Sequence, residues 1–359
     1  MINRFSARFA AGGFLALALT MPAAAQGPLP TSLTQASSLN ASQQADVETF
    51  VREQFELIAS GSATDIQAAR RALTAPFEDD ATSIGFRLAC GRAASQPIRT
   101  ILRGDDAHRA ANALIVAGRI GTPDTIEALG QGLRDDRSAI RSISASALGG
   151  VISSAAPIPI RRAQAETALR LVVNAVEIES DPRVAALLFE ATSAARETDL
   201  QNVAADRVAD VLPAVLINVR DAQLTPADAA LWPAALIRSV DLLRNNLIDI
   251  KAMRNPPADT LKSLLTAGGS VMYYASTRLD LEATADLAES GEAESLQLLV
   301  ESTERLLEFS ERSATQGLRL PDRFAESIED DDPTAFLDAV QSLLDRLEQL
   351  GIDRTDIEG

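Results

Sequence analysis

The stretch Leu133–Val151, LRDDRSAIRSISASALGGV, decides how the fold is interpreted. Its two aspartates, Asp135 and Asp136, are suited to cap the helix that follows them. Ile140 is then expected to pack inward, and the alanines near the end leave room for a neighbouring helix to approach. Gly149 is expected to help end the helix. The stretch therefore predicts one structural unit rather than a catalytic motif.

The same pattern recurs along the chain. Gly118 and Ile120 return as Gly149 and Val151, 31 positions later, and internal similarity at such a period is typical of stacked helical repeats. Apolar residues elsewhere recur at steps of three and four, as expected of amphipathic helices. We therefore expect an all-α solenoid of helix pairs over residues 43–200, followed by a less regular helical region over residues 201–351.

One repeat unit resembles the HEAT repeats, in the short form also found in phycobilisome-lyase-like proteins. The matching residues are Ile120, Gly121, Pro123, Ile126, Leu129, Leu133, Asp135, Ile140, Arg141, Ala147, Leu148 and Gly149. The preceding unit departs from the pattern because Arg109 lies one residue early, and the following unit has Ala185 where arginine is expected. The resemblance implies a curved stack of helix pairs and says little about activity. In such a pattern Arg141 is expected to pair with acidic turn residues of its own or an adjacent repeat.

Capping signals mark several helix boundaries. Thr225 and Pro226 predict the start of a helix, with Asp228 as the acidic third residue. Pro233 should bend that helix or fall within its first turns. Asp332 and Pro333 predict the start of the last helix, and Gly351 is expected to end it.

The N-terminus has the features of a secretory signal. Arg4 and Arg8 precede an apolar stretch from Ala10 to Met21, and three alanines end at Ala25. Residues 1–25 are therefore expected to be cleaved after Ala25, which predicts a periplasmic or extracellular protein. Residues 26–42 are rich in Pro, Ser, Thr and Gln, so we expect a flexible leader there, with order beginning near Gln43. Residues 352–359 are expected to form a tail.

The composition excludes some classes of partner. The formal net charge is −17 and the pI about 4.6. An acidic protein repels nucleic acid and anionic lipid headgroups, so we expect neither as a partner. No segment after the signal is long and uncharged enough to span a bilayer, so we expect no membrane insertion.

Residues with catalytic or metal-binding potential are scarce. Cys90 is the single cysteine, expected to be a buried small hydrophobe, and His108 is the single histidine, expected to face solvent near a helix start. Zinc sites need several such ligands. The acidic run 329–332 lacks the spacing of a calcium loop, and helix capping and solvation account for it. We therefore predict no catalytic, cofactor or metal site.

Two features could face a partner. Phe336, Val340, Leu343 and Leu347 form a narrow apolar seam on the last helix, which could either join subunits or dock that helix on the end of the solenoid. Tyr273 and Tyr274 are helix neighbours that point about 100° apart, so they could form a groove rim or pack as a core residue with an edge residue.

These observations predict a non-catalytic protein-binding or scaffolding protein of the bacterial cell envelope. The alternative is a lyase-like HEAT-repeat enzyme that attaches a chromophore or uses carboxylate-based chemistry. The two differ in whether the repeat surface only binds a protein partner or also carries out a reaction.

Overall fold

The computed structural model describes residues 29–78, 81–154, 159–222, 224–253, 256–281, 292–314, 324 and 333–359. Within these ranges the regular structure is helical and no residue lies in a β-strand. The prediction of an all-α fold is confirmed. The proposed signal segment, residues 1–25, lies outside the described residues, as does the acidic run 329–332.

The α-helices follow one another with short connections through the first two thirds of the chain. In order they are Thr31–Thr34 (α1), Ala41–Ser60 (α2), Ala63–Thr74 (α3), Ile84–Leu102 (α4), Ala107–Ile120 (α5), Pro123–Gly132 (α6), Ser138–Ser153 (α7), Pro159–Val176 (α8), Pro182–Ser193 (α9), Gln201–Asp221 (α10), Pro226–Ala229 (α11), Trp232–Met253 (α12), Ala258–Leu281 (α13), Glu292–Ala314 (α14), Pro333–Gln349 (α15) and Thr355–Glu358 (α16).

The helices stack in two layers made of alternate helices. In one layer α3, α5, α7, α9, α12 and α14 each pack against the next of the series. In the other layer α2, α4, α6, α8, α10, α13 and α15 do the same. Since each pair covers the apolar face of its neighbours, one core runs through the stack. The alternation of the two layers continues past residue 200. Helix lengths vary along the stack, since α13 has 24 residues and α6 has 10.

Small residues set the spacing between helices of the first layer. A Cβ atom on Gly118 would lie 2.7 Å from the Cβ of Ala147, where α5 meets α7. A Cβ atom on Gly149 would lie 3.2 Å from the Cα of Ala191, where α7 meets α9. The prediction that Gly149 helps end its helix is wrong, because α7 continues to Ser153. Gly149 is present because the next helix approaches its backbone closely.

Arg141 joins two repeats, as the sequence pattern predicted. Its Nε and one Nη donate to both carboxylate oxygens of Glu179, at 2.8 and 3.0 Å. The other Nη donates to the carbonyl oxygens of Asp135 and Asp136, at 2.9 and 3.1 Å. The guanidinium therefore ties the turn before α7 to the turn before α9.

Two further arginines bind the ends of earlier helices. Arg137 donates to the carbonyl oxygens of Leu102 and Gly104, at 3.0 and 2.9 Å, at the C-terminal end of α4. Arg109 similarly donates to the carbonyls of Ala59 and Gly61 at the end of α2. The last carbonyls of a helix have no partner within it, so these side chains satisfy acceptors and fix one helix pair on the next.

The leader is more ordered than its composition predicts. Residues 29–42 include α1, whose Leu33 is buried, and the Ser83 N–H donates to the Thr34 carbonyl at 2.9 Å. A reciprocal capping box between Asn40 and Gln43 starts α2 at Ala41. The expectation of a flexible leader is wrong for these residues, because one leucine packs on the core and one capping pair begins the helix.

The capping signals around residue 225 are confirmed. Thr225 accepts a hydrogen bond from the Asp228 N–H at 3.2 Å, and Pro226 is the first residue of α11. That helix stops at Ala229, and α12 begins at Trp232 with Pro233 as its second residue. The proline thus falls in the first turn of a new helix, where its missing N–H costs no hydrogen bond.

The C-terminal segment is also packed. Gly351 has a φ of 80° and ends α15, as predicted. Beyond it, Ile352 and Ile357 are buried, and α16 lies against α10 and α13. The expected tail of residues 352–359 is therefore part of the folded stack, because two isoleucines anchor it.

Candidate functional site

The apolar seam of the last helix is not a surface. Phe336, Val340, Leu343 and Leu347 are each at most 2% exposed. They pack within the same chain, since α15 lies on α13 and the Phe336 ring meets Phe324 with centroids 6.3 Å apart. Their assignment as partner-binding residues is wrong. The other interpretation of the seam, a helix docked on the end of the stack, describes what is observed.

The tyrosine pair divides between the core and its edge. Tyr274 is 3% exposed, whereas Tyr273 is half-buried at the margin of the core. The Arg220 guanidinium lies beside Tyr273, and hydrogen bonds to Asp221 and then to Tyr273 help raise the pKa of Arg220. Core-plus-edge packing therefore accounts for both residues, and neither lines the groove described below.

The two residues considered for nucleophilic chemistry do not form a reactive site. Cys90 is buried, and that burial raises the pKa of its thiol to about 12, so the nucleophilic thiolate is scarce at neutral pH. His108 is exposed on the first turn of α5, with its Nε2 3.4 Å from the Asn112 amide nitrogen. In the described part of the chain, no three His, Cys, Asp or Glu side chains are grouped to hold a metal ion.

Two grooves lie beside the central repeats, and their charges differ. The larger one, about 930 Å³, runs along the turns that follow α4 and α6. Its lining contains four arginines and three aspartates, which are Arg99, Arg103, Arg134 and Arg137 with Asp105, Asp135 and Asp136. Arg137 is among them, and its guanidinium contacts both oxygens of Asp135, at 2.7 and 2.8 Å. The four arginines of this groove are therefore nearly balanced in number by three aspartates.

The second groove, about 760 Å³, is formed where the C-terminal halves of α5 and α7 lie side by side. We call it the arginine groove. Its floor is formed by Ile115, Gly118, Ile143, Ala147 and Gly150, and its three cations are Arg87, Arg119 and Arg161. Ile115 is 38% exposed, and a Cβ on Gly150 would meet no atom within 4 Å. The floor is thus apolar and open.

Arg87 is held firmly in this groove. One Nη donates to the carbonyls of Arg119 and Ile120 at the end of α5, at 2.9 and 2.8 Å. Its guanidinium carbon lies 4.7 Å from the centre of the Phe77 ring, which adds a cation–π contact. Burial, with a contribution from the positive charges of Arg161 and Arg119, lowers the pKa of Arg87 to about 10. The group stays protonated at neutral pH.

Arg119 and Arg161 complete the cluster from two other helices. Arg119 is exposed in the last turn of α5, and Arg161 is half-buried in the first turn of α8. Among the described residues, neither guanidinium forms an ion pair or a side-chain hydrogen bond. Glu78 is the carboxylate among the lining residues. Three cations therefore meet one described anion on an apolar floor, in a protein whose net charge is −17.

Sequence reasoning missed this cluster because its members are far apart in the chain. Arg87, Arg119 and Arg161 belong to three different helices and share no local motif. They line one groove because α5 packs against both α4 and α7, and α8 packs against α7. The sequence signal for a binding cluster was weak, because arginines are frequent in this chain. Most of the arginines described in the turns form hydrogen bonds to carbonyls or carboxylates, so an arginine does not by itself indicate a binding site.

Comparison with known proteins adds no functional assignment. No family model matches the chain, and no curated protein is similar to it. An engineered protein with a crystal structure from a structural genomics consortium matches 73% of this chain and 97% of its own. The identity is 17% and the TM-score 0.37, so the match carries no argument about fold or function. Among the described helices, none has the length and apolar character needed to cross a bilayer.

Proposed function

We propose that the chain is a non-catalytic binding protein of the bacterial cell envelope, which holds a partner protein in the arginine groove. The observation that carries the proposal is the groove itself, where exposed apolar surface lies beside three arginines and, among the described lining residues, one carboxylate, Glu78. Ligand sites typically combine an apolar lining with a few polar groups, in a cleft of roughly 300–1,000 Å³. The groove has this composition, and its volume of about 760 Å³ is within that range.

The helical stack supports a binding role in a second way. Stacked helix pairs form extended surfaces that repeat proteins use for binding. The resemblance to HEAT repeats, which rests on the unit containing Arg141, is part of the proposal. So is export to the periplasm or beyond, which is supported by the signal-like sequence of residues 1–25.

The alternative of a lyase-like enzyme has less support. Such chemistry needs a nucleophile, a base or paired carboxylates within reach of one another. The Cys90 thiol is buried and protonated, and His108 has an amide neighbour. No contact among the described residues favours chromophore attachment.

Site-specific photo-crosslinking in the source bacterium tests the proposal. Ser146 is exposed on the groove lining, and Arg170 is exposed on α8 and is not part of the lining. A photoreactive p-benzoylphenylalanine is placed at either position. We expect a discrete crosslinked protein from position 146 and none from position 170. Equal products from both positions, or none from position 146, would contradict the proposal.

A further inference from the structure

We infer that the arginine groove binds the C-terminal carboxylate of a partner polypeptide whose last side chain is apolar. This inference rests on the proposed function and assigns the chemistry of the ligand. It is carried by the arrangement of three cations, by the floor beside them and by the neutral polar groups of the lining.

The three cations line one groove, and the charges of Arg161 and Arg119 act on Arg87. Arg87 is fixed by two carbonyls and the Phe77 ring, so it offers a preorganised guanidinium edge. Arg119 and Arg161 reach the same groove with donors that no described side chain uses. Guanidinium groups bind carboxylates through paired, charge-assisted hydrogen bonds. Burial lowers the pKa of Arg87, the positive charges of Arg161 and Arg119 lower it further, and a bound carboxylate would offset those charges.

The floor suits an apolar side chain next to that anion. Ile115 and Ile143 provide branched apolar surface, and Gly118 and Ala147 are in close contact between α5 and α7. Gly150 has open space where a side chain would stand. A polypeptide that ends in leucine, valine or phenylalanine could place its carboxylate at the arginines and its last side chain on this floor.

The remaining lining favours a peptide over a lipid anion. Thr74, Ser146 and Gln164 bring neutral hydrogen-bonding groups to the groove. Peptide amides can pair with such groups, whereas an acyl chain would leave them without partners. A strongly acidic internal segment is disfavoured, because the chain as a whole carries −17 and repels extended negative charge. A terminal carboxylate confines the charge to one point.

Peptide arrays provide the direct test. The purified chain is applied to a combinatorial set of hexapeptides with free C-terminal carboxylates, and to the same sequences as C-terminal amides. We expect the bound peptides to end in apolar residues, and amidation to weaken binding about ten-fold or more. Equal binding of amides, a preference for charged last residues, or binding of no peptide would overturn the inference. Binding of laurate to the chain without any peptide binding would assign the groove to a lipid anion instead.

Charge-reversal variants link the binding to the groove. Arg119→Glu and Arg161→Glu should each weaken binding of the best peptide about ten-fold or more in fluorescence anisotropy. Arg170→Glu makes the same charge change outside the groove on α8, and should alter binding by less than about two-fold. Circular dichroism and melting temperature verify folding, and Arg119→Gln replaces Arg119→Glu if the reversal unfolds the chain. Unchanged binding in both groove variants would refute the assignment.

The two proposals fail in different ways. If position 146 still crosslinks a protein but the arrays show no preference for free carboxylates, the ligand chemistry is wrong and the binding role stands. If position 146 crosslinks nothing, the binding role itself is wrong.

Discussion

Removal of the Glu179 carboxylate is expected to destabilise the centre of the stack strongly. The carboxylate accepts two hydrogen bonds from Arg141 and further bonds from the Ser180 and Asp181 N–H groups, at 3.0 and 2.9 Å. The side chains of Glu179 and Arg141 are 5% and 17% exposed, so little water can replace the lost partner. Breaking a buried pair typically costs about 3–5 kcal/mol. Because Arg141 keeps its two carbonyl acceptors, we expect about 3 kcal/mol for Glu179→Ala.

Urea unfolding followed by circular dichroism measures this loss, and a double-mutant cycle with Arg141→Ala isolates the pair. We expect a coupling free energy of about 1–2 kcal/mol. Glu166→Ala is the matched control, because Glu166 pairs with Arg162 and both side chains are about half exposed, at 49% and 47%. The control should cost less than about 0.5 kcal/mol. If Glu179→Ala costs no more than this control, the reasoning that the pair joins two repeats is refuted.

Three further predictions concern packing in other parts of the stack. Gly149→Leu should lower the melting temperature by several degrees in differential scanning fluorimetry, because α9 leaves no room for a side chain at this position. Gly150→Ala should not lower it, because a Cβ atom at that position lies in open space. Equal effects of the two substitutions would contradict the close approach of α9 to Gly149. Cys90 should resist alkylation by iodoacetamide until the chain unfolds. The pKa of its thiol is about 12 in the folded chain and 9.0 in the unfolded chain. The free energy of unfolding that depends on this thiol is therefore present below pH 9 and is lost as the pH rises towards 12. A melting temperature that does not fall more in wild type than in Cys90→Ala over this range would oppose that assignment. Ile357→Ala should cost about 2–4 kcal/mol in urea unfolding, since its side chain is buried; a loss below about 0.5 kcal/mol would mean that α16 is not anchored.

The sequence predicted the helical class and the role of Arg141 because both depend on local patterns. Apolar spacing defines a helix within a few residues, and the turn before Arg141 has the aspartates of its own repeat. Gly149 was misinterpreted because glycine serves both helix ends and close helix contacts, and only the position of α9 distinguishes them. The seam from Phe336 to Leu347 was ambiguous for a similar reason, since an apolar stripe looks the same whether its partner is α13 or a second chain.

The arginine groove could not be predicted in this way, because it depends on how side chains are used rather than on which residues occur. Arg109, Arg137 and Arg141 direct their donors to helix ends and carboxylates, and so stabilise the stack. Arg119 and Arg161 form no such bonds among the described residues, although they lie near Arg87 and repel it.

The positive charges of Arg119 and Arg161 oppose the charge of Arg87 in the folded chain, and a bound anion would offset that repulsion. A ligand that binds only the folded chain stabilises it by RT ln(1 + [L]/Kd). A peptide with a free carboxylate should therefore raise the melting temperature of the wild type as its concentration increases, and raise that of Arg119→Glu much less. An equal increase in both proteins would place the peptide outside the groove.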